Sequence, residues 1–157
     1  MFEQSLIIAA AFGCGLVAGI FVAFSNFVMP ALARLNTQQG LAAMQSINIT
    51  VLNPGFLGLF MGTAILCLVV FVWQVFFVEV INLWLVAAGL CYLLGCFAVT
   101  AFANVPRNKA LALISVNDAL SEAQSLQWQQ YLAEWTYWNH WRSLASALAM
   151  LLFMLGL

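Results

Sequence analysis

An all-α integral membrane protein is the fold class this chain predicts, on three observations. Its 157 residues are 66% hydrophobic and 6% charged, with a mean hydropathy of +1.04. A soluble domain of this length needs a charged surface, and four basic plus five acidic side chains cannot cover one. The apolar residues also gather into runs over about 5–29, 54–78, 81–102 and 128–157, each long enough for the ~20 helical residues that cross a bilayer. The last run is apolar only from Trp141 and reaches spanning length by extending back through its aromatic flank. The expected architecture is one four-span transmembrane domain, 1–157. It is a four-helix bundle with a short amphipathic interfacial helix between spans one and two and a long polar connection before span four.

The net charge of −1, without a Lys/Arg run, excludes nucleic acid as a partner. Cys14, Cys67, Cys91 and Cys96 lie inside apolar runs, without CxxC spacing. They are expected as small core residues rather than a disulfide framework or zinc site.

In the first span Ala11, Gly15, Gly19 and Ala23 recur every four residues and, with Asn26, form a strip of small side chains. Such strips let membrane helices approach closely, and Gly58 and Gly62 offer the second span a similar surface. Ala31-Leu32-Ala33 resembles a signal-peptidase site, but the N-terminal flank has no Lys or Arg and the apolar stretch is too long. A retained span is therefore expected. The connection from Ala31 to Asn53 holds an amphipathic helix starting at Thr37, with Leu41, Met44, Ile47, Val51 and Leu52 on its apolar face and Gln45 and Asn48 at one edge. Lying flat on the membrane and folding over the bundle mouth as a lid are both open readings.

Glu79 and Asn82 mark a tight turn between spans two and three. The third span carries a polar strip of Tyr92, Cys96, Thr100, Asn104 and Arg107. Pro106 interrupts it, because proline lacks an N–H and disfavours helix at Val105. A kink or restart follows at Asn104–Asn108, with Asn104 as a candidate cap. These polar groups form a hydrogen-bonding site, or only satisfy the backbone that Pro106 frees. Arg34, Arg107, Lys109 and Arg142 all fall on the side of the two long connections. That side is expected to be cytoplasmic, with both termini external, in a bacterial plasma membrane.

The last helix is expected to begin near Ser125, or slightly earlier from the capping-box spacing of Ser121 and Gln124. At ~100° per residue, Arg142, Trp135, Ser146, Asn139, Ser143, Thr136 and His140 fill an arc of roughly 160°, expected to face the interior. Tyr137, Trp138, Trp141, Leu144 and Leu148 are left for lipid, with Tyr137 and Trp141 as an interfacial belt. His140 is the single histidine of the chain. Histidine is the side chain that ordinarily exchanges protons near neutrality. With Arg142 as a cation and Asn139 as a donor, it has the makings of a base and an oxyanion holder. The alternative is an interfacial histidine in a tryptophan belt, with Arg142 snorkelling to headgroups. A metal site would need His140 to recruit Asp118, Glu122 or Glu134, and none is expected. Haem on His140 alone is a further open alternative.

Four ordered blocks resemble the anthrone oxygenase-like family of small membrane proteins: Phe24–Pro30, Met44–Asn48 with Val51–Pro54, Asn104–Asn108, and Trp135–Ser143. With the four spans they cover nearly the whole chain. The resemblance implies a four-span membrane protein, and for the fungal polyketide members insertion of molecular oxygen into an anthrone to give an anthraquinone. It also implies no required metal or flavin, because a deprotonated anthrone is itself an electron donor to oxygen. The partners are then the lipid bilayer, a small lipophilic substrate and molecular oxygen. Carried over by position, His140 is the base, with Asn139 and Arg142 holding the oxyanion. Trp135, Asn104, Asn108, Arg107, Gln45, Asn48, Asn53, Asn26 and Ser25 line the substrate site. Two positions depart from the family pattern: Arg107 stands where an aliphatic side chain is usual, and Trp141 where a smaller apolar one is. Both change bulk and charge at the expected mouth. A non-enzymatic protein that binds a quinone, lipid or haem, or that serves as a subunit of a membrane complex, is the rival reading. Oligomeric state is left open.

Overall fold

The computed structural model describes residues 2–116 and 119–157, so Asp118 lies outside the described residues. Every regular element among them is helical. α1 (Phe2–Ala23) runs through a widened π-helical turn, Phe24–Val28, into α2 (Met29–Arg34). α3 (Thr37–Thr50) starts on an Asn36 side chain that accepts from Gln39 N–H. α4 (Pro54–Phe76) starts on Asn53, which accepts from Phe56 N–H, with proline in the first turn, where its missing donor costs nothing.

α5 (Leu83–Leu90) is capped by Asn82 and continues through π-helical segments Cys91–Ala98 and Thr100–Asn104 into α6 (Val105–Ala112). α7 (Glu122–Leu155) opens on a capping box in which Ser121 and Gln124 satisfy each other's backbone donors. Three continuous helices, Glu3–Arg34, Pro54–Phe76 and Leu83–Ala112, are long and apolar enough to cross a membrane, the signature of an integral membrane protein.

α1 and α7 make the most extensive pairing, and α4 and α5 close the bundle around them. Its core joins Ala10, Cys14, Val17, Cys67, Tyr92 and Phe153. Gly13 lets α1 close on α4, because a Cβ there would collide with the Thr63 side chain. At the end bearing both termini, Gln74 donates to Glu3 and accepts from Asn82 N–H, and Asn82 donates to the Gly156 carbonyl. A second core at the other end joins Met29, Leu32, Leu41, Met44, Leu111, Trp128, Tyr131 and Trp135 from α2, α3, α6 and α7.

Three expectations change and one open alternative, the orientation of α3, is decided. The long connections are mostly helix: α2 prolongs the first span and α6 the third, while α7 begins at Glu122, as the capping-box spacing leads one to expect. Pro106 does not break the third span, because the π-helical register before it places Val105 N–H on the Thr100 carbonyl and α6 starts around the proline. Asn104 makes no capping bond there. The apolar face of α3 meets protein rather than lipid, with Leu41 and Met44 fully buried, and Gly40 lets it approach Leu32 and Trp128. The small-residue strip is only half used: Gly19, Gly58 and Gly62 have no neighbouring atoms, and Asn26 is exposed.

Candidate functional site

At the end away from the termini, α7 turns its polar sector into the bundle. Asn139 is fully buried. Its amide nitrogen donates to the Phe21 carbonyl at 2.7 Å and to Ser25 Oγ at 2.6 Å. The amide thus enters α1 where the backbone widens into its π-helical turn, the kind of insertion that distorts a helix ladder. The Asn139 oxygen accepts from Arg142 Nη2 at 2.5 Å. Arg142 Nη1 donates to Thr100 Oγ1 at 3.4 Å, while Thr100 donates to the Cys96 carbonyl.

The guanidinium is 4% exposed, with Phe21 4.0 Å and Trp135 5.0 Å from its carbon. No described carboxylate pairs with it; the ion pair among the described residues is Arg107–Glu134, 2.8 Å. Arg142 Nε, Asn104 Oδ1 and Ser146 Oγ are buried without a hydrogen-bond partner. Such groups are uncommon in folded proteins and mark candidate ligand sites.

A second branch runs toward the surface. Asn108 Oδ1 accepts from Trp135 Nε1 and from Tyr131 OH, both at 2.9 Å, and Asn48 donates to the Tyr131 oxygen at 3.5 Å. Asn104 donates to the Trp135 carbonyl. Phe24 leans on Trp135, so aromatic rings wall the cluster. Arg107 clips the rim by donating to Glu134 and to the Ala103 carbonyl. Beside it a cleft of about 180 Å³ is lined by Arg107, Leu111, Ile114, Tyr131 and Glu134.

The structure therefore gathers Arg142, Asn139, Trp135, Asn104, Asn108, Asn48 and Ser25 around one end of the bundle, with Arg107 at its rim. Gln45 instead ties α3 to the Leu111 and Ile114 carbonyls, and Asn53 serves as a helix cap. Asn26 faces outward. His140 is corrected from an interior to an exposed position. Across the expected arc, burial runs from Arg142, Trp135, Ser146, Asn139 and Ser143 through half-buried Thr136 to exposed His140. The interior sector spans roughly 100° rather than 160°.

His140 instead lines a groove of about 500 Å³ between α2 and α7, with Met29, Pro30, Leu132, Thr136 and Tyr137. Two members of the cluster were not singled out from the sequence. Tyr131 reads as one more apolar position in α7, and Phe21 as one of many span aromatics. The signal for Phe21 was its place one turn before Ser25, on the same face.

These features define a class: a small helical membrane protein with a buried, carboxylate-free cation at one end of its bundle. The chain belongs to the anthrone oxygenase family, whose profile, described as anthrone oxygenase, matches residues 55–152. The match takes in Asn104, Asn108, Trp135, Asn139, His140 and Arg142, whereas Phe21 and Ser25 precede it. No curated protein and no solved structure matches the chain.

Proposed function

We propose that this protein is a membrane oxygenase that uses molecular oxygen on a lipophilic phenolic or anthrone-like substrate, without a resident cofactor. The observation that carries the reading is the position of His140, the single histidine, in the wall of the groove between α2 and α7. The volume of that groove, about 500 Å³, suits a flat polycyclic molecule. The imidazole removes a proton from the activated C–H or phenol, and the resulting anion passes one electron to oxygen.

For an anthrone the balance is one CH2 plus O2 to one ketone plus water. Asn139 and Arg142, on the inner face of the same helix, supply the fixed positive potential that favours anionic species. The protein resides in a bacterial plasma membrane, with α7 as a fourth span and the Arg/Lys-bearing end cytoplasmic. Oxygen-electrode screening of anthrones and hydroquinones against the purified protein tests the reading. His140→Ala is expected to abolish substrate-dependent oxygen uptake while the bundle stays assembled; uptake at the wild-type rate would remove His140 from the mechanism.

The openness of the groove wall, formed largely by Met29, Pro30, Ala33, Leu132 and Ala133, favours a second reading in which a quinone or lipid lodges there without turnover. A quinone recovered with the protein, and no oxygen uptake with any substrate, would select it. A Soret band would select haem on His140.

A further inference from the structure

We propose that Arg142 is a receptor for an aromatic oxyanion: a phenol, enol or aromatic acid held in the bundle as its conjugate base. The proposal rests on the reading above in one respect, that the ligand is an acidic lipophilic aromatic; it concerns where the anion is held at equilibrium and leaves His140 as the base in turnover.

A permanent cation buried away from water is tolerated when it is paired and hydrogen-bonded. Arg142 has no carboxylate partner among the described residues. Glu134 is taken by Arg107, and Glu3 bonds Gln74 at the far end of the bundle. Its two bonded acceptors, the Asn139 amide and the Thr100 hydroxyl, are neutral, and its Nε–H has none. The missing element is negative charge.

The shape of the surroundings says which kind. Phe21 and Trp135 cover the guanidinium, so a ligand approaches its edge, where Nε has no acceptor. A flat ring bearing one charged oxygen fits an aromatic-walled edge better than a hydrated phosphate does. Headgroup phosphates meet exposed cations first, and Lys109 and Arg34 are exposed at this end.

Trp135 packs against the cation on one side and stacks on Tyr131, which lines the cleft with Glu134, and its indole N–H is held by Asn108 Oδ1, which Tyr131 shares. Release of that bond is the route by which a ligand passes from the cleft to Arg142. The step is an ionisation, ArOH → ArO⁻ + H⁺. The proton goes to bulk water and the anion is stabilised by charge-assisted hydrogen bonds.

The probe is 1-naphthol, whose absorption shifts to the red on ionisation, titrated into the full-length protein in neutral, oxygen-free detergent solution. The naphtholate band is expected with the wild type, with Arg142→Lys and with His140→Ala. Arg142→Met, which fills the space without charge, is expected to lose the band and to bind at least about tenfold more weakly. Independently of any variant, 1-naphthol is expected to raise the wild-type unfolding temperature and 1-methoxynaphthalene to leave it unchanged.

A band that survives in Arg142→Met, or no band with the wild type, would overturn the proposal. So would loss of the band from His140→Ala alone. Displacement of the band by equimolar phosphatidylglycerol would also overturn it, by identifying a lipid phosphate as the occupant. Because oxygen is absent, the measurement is separable from turnover. A naphtholate band without oxygen uptake sinks the oxygenase reading and keeps the receptor. Oxygen uptake without the band does the reverse.

Discussion

A guanidinium taken out of water loses hydration worth several kcal/mol, which its new neighbours must offset. Arg142 finds two aromatic faces, one amide oxygen and one hydroxyl. The amide is the harder part to replace, because Asn139 also satisfies the Phe21 carbonyl and Ser25. Asn139→Leu strips an acceptor from a buried cation and a donor from the α1 backbone. It is expected to cost about 3 kcal/mol or more. Arg142→Met removes the cation but leaves the buried Asn139 oxygen without a donor, and is expected to cost about 1–3 kcal/mol. Reversible unfolding in mixed micelles measures both, and equal losses would contradict this account of the cluster.

Glycines give a second contrast. Gly13→Val drives a branched side chain into Thr63 and is expected to destabilise by about 1–3 kcal/mol. Gly19→Ala meets nothing and is expected to be neutral or stabilising by up to about 1 kcal/mol. Residue identities were legible in the sequence more readily than their directions. Helical phase correctly placed five of the seven expected residues in the interior, but did not mark where the interior ended. His140 stands at the edge of that arc because α7 leaves a groove against α2 there, which a single helix cannot report.

Among the elements, α6 and α7 are joined at the rim by an exposed ion pair, and such pairs contribute little. Glu134→Ala is therefore expected to change stability by no more than about 0.5 kcal/mol. Arg107→Ala should cost more, because that side chain also donates to the Ala103 carbonyl and lies 6.0 Å from the Trp138 ring. A double-mutant cycle separates the ion pair from those other contacts, and equal single-mutant losses would show the carboxylate to be the main partner.

Caps were partly readable at this scale. Ser121 with Gln124 starts α7 as the capping-box spacing leads one to expect, whereas Asn53 and Asn82, read as a site residue and a turn marker, cap α4 and α5, and Asn104 caps nothing. Pro106 is rightly read as the place of a restart, since α6 begins at Val105, but the loss of helix expected at Val105 does not occur. The proline's cost depends on the register of the preceding turns, and the π-helical segments that absorb it are set by packing on α7. The direction of α3 was undetermined for a similar reason, because an amphipathic face looks the same whether lipid or protein covers it.

For the whole molecule, all four basic residues lie toward one end of the bundle, around the α3–α6–α7 core. If that end is cytoplasmic, a periplasmic phosphatase fused after Leu157 is expected to be active and a fluorescent protein there dark. The opposite pattern would invert the proposed orientation. The membrane-suited character of the chain followed from composition, and its all-helical character from apolar runs of spanning length for a helix rather than for the shorter strands of a barrel. The number of spans did not. α7 has 34 residues, about 51 Å of helix, yet it is not among the helices apolar enough to qualify as spans.

That shortfall comes from Asn139, His140 and Arg142, and it bears on how the protein is made. During biosynthesis a helix carrying an arginine within its apolar flank partitions less readily from the translocon into lipid by itself, with roughly 2.5–3.5 kcal/mol, the cost at the helix centre, as the upper bound for that residue. α1 offers the Phe21 carbonyl, the Phe21 ring and Ser25 as ready partners, and the third hydrophobic helix offers Thr100. Both are synthesised before α7 emerges. The buried cation thus makes the last helix a client of the earlier ones, and assembly proceeds in the order of translation.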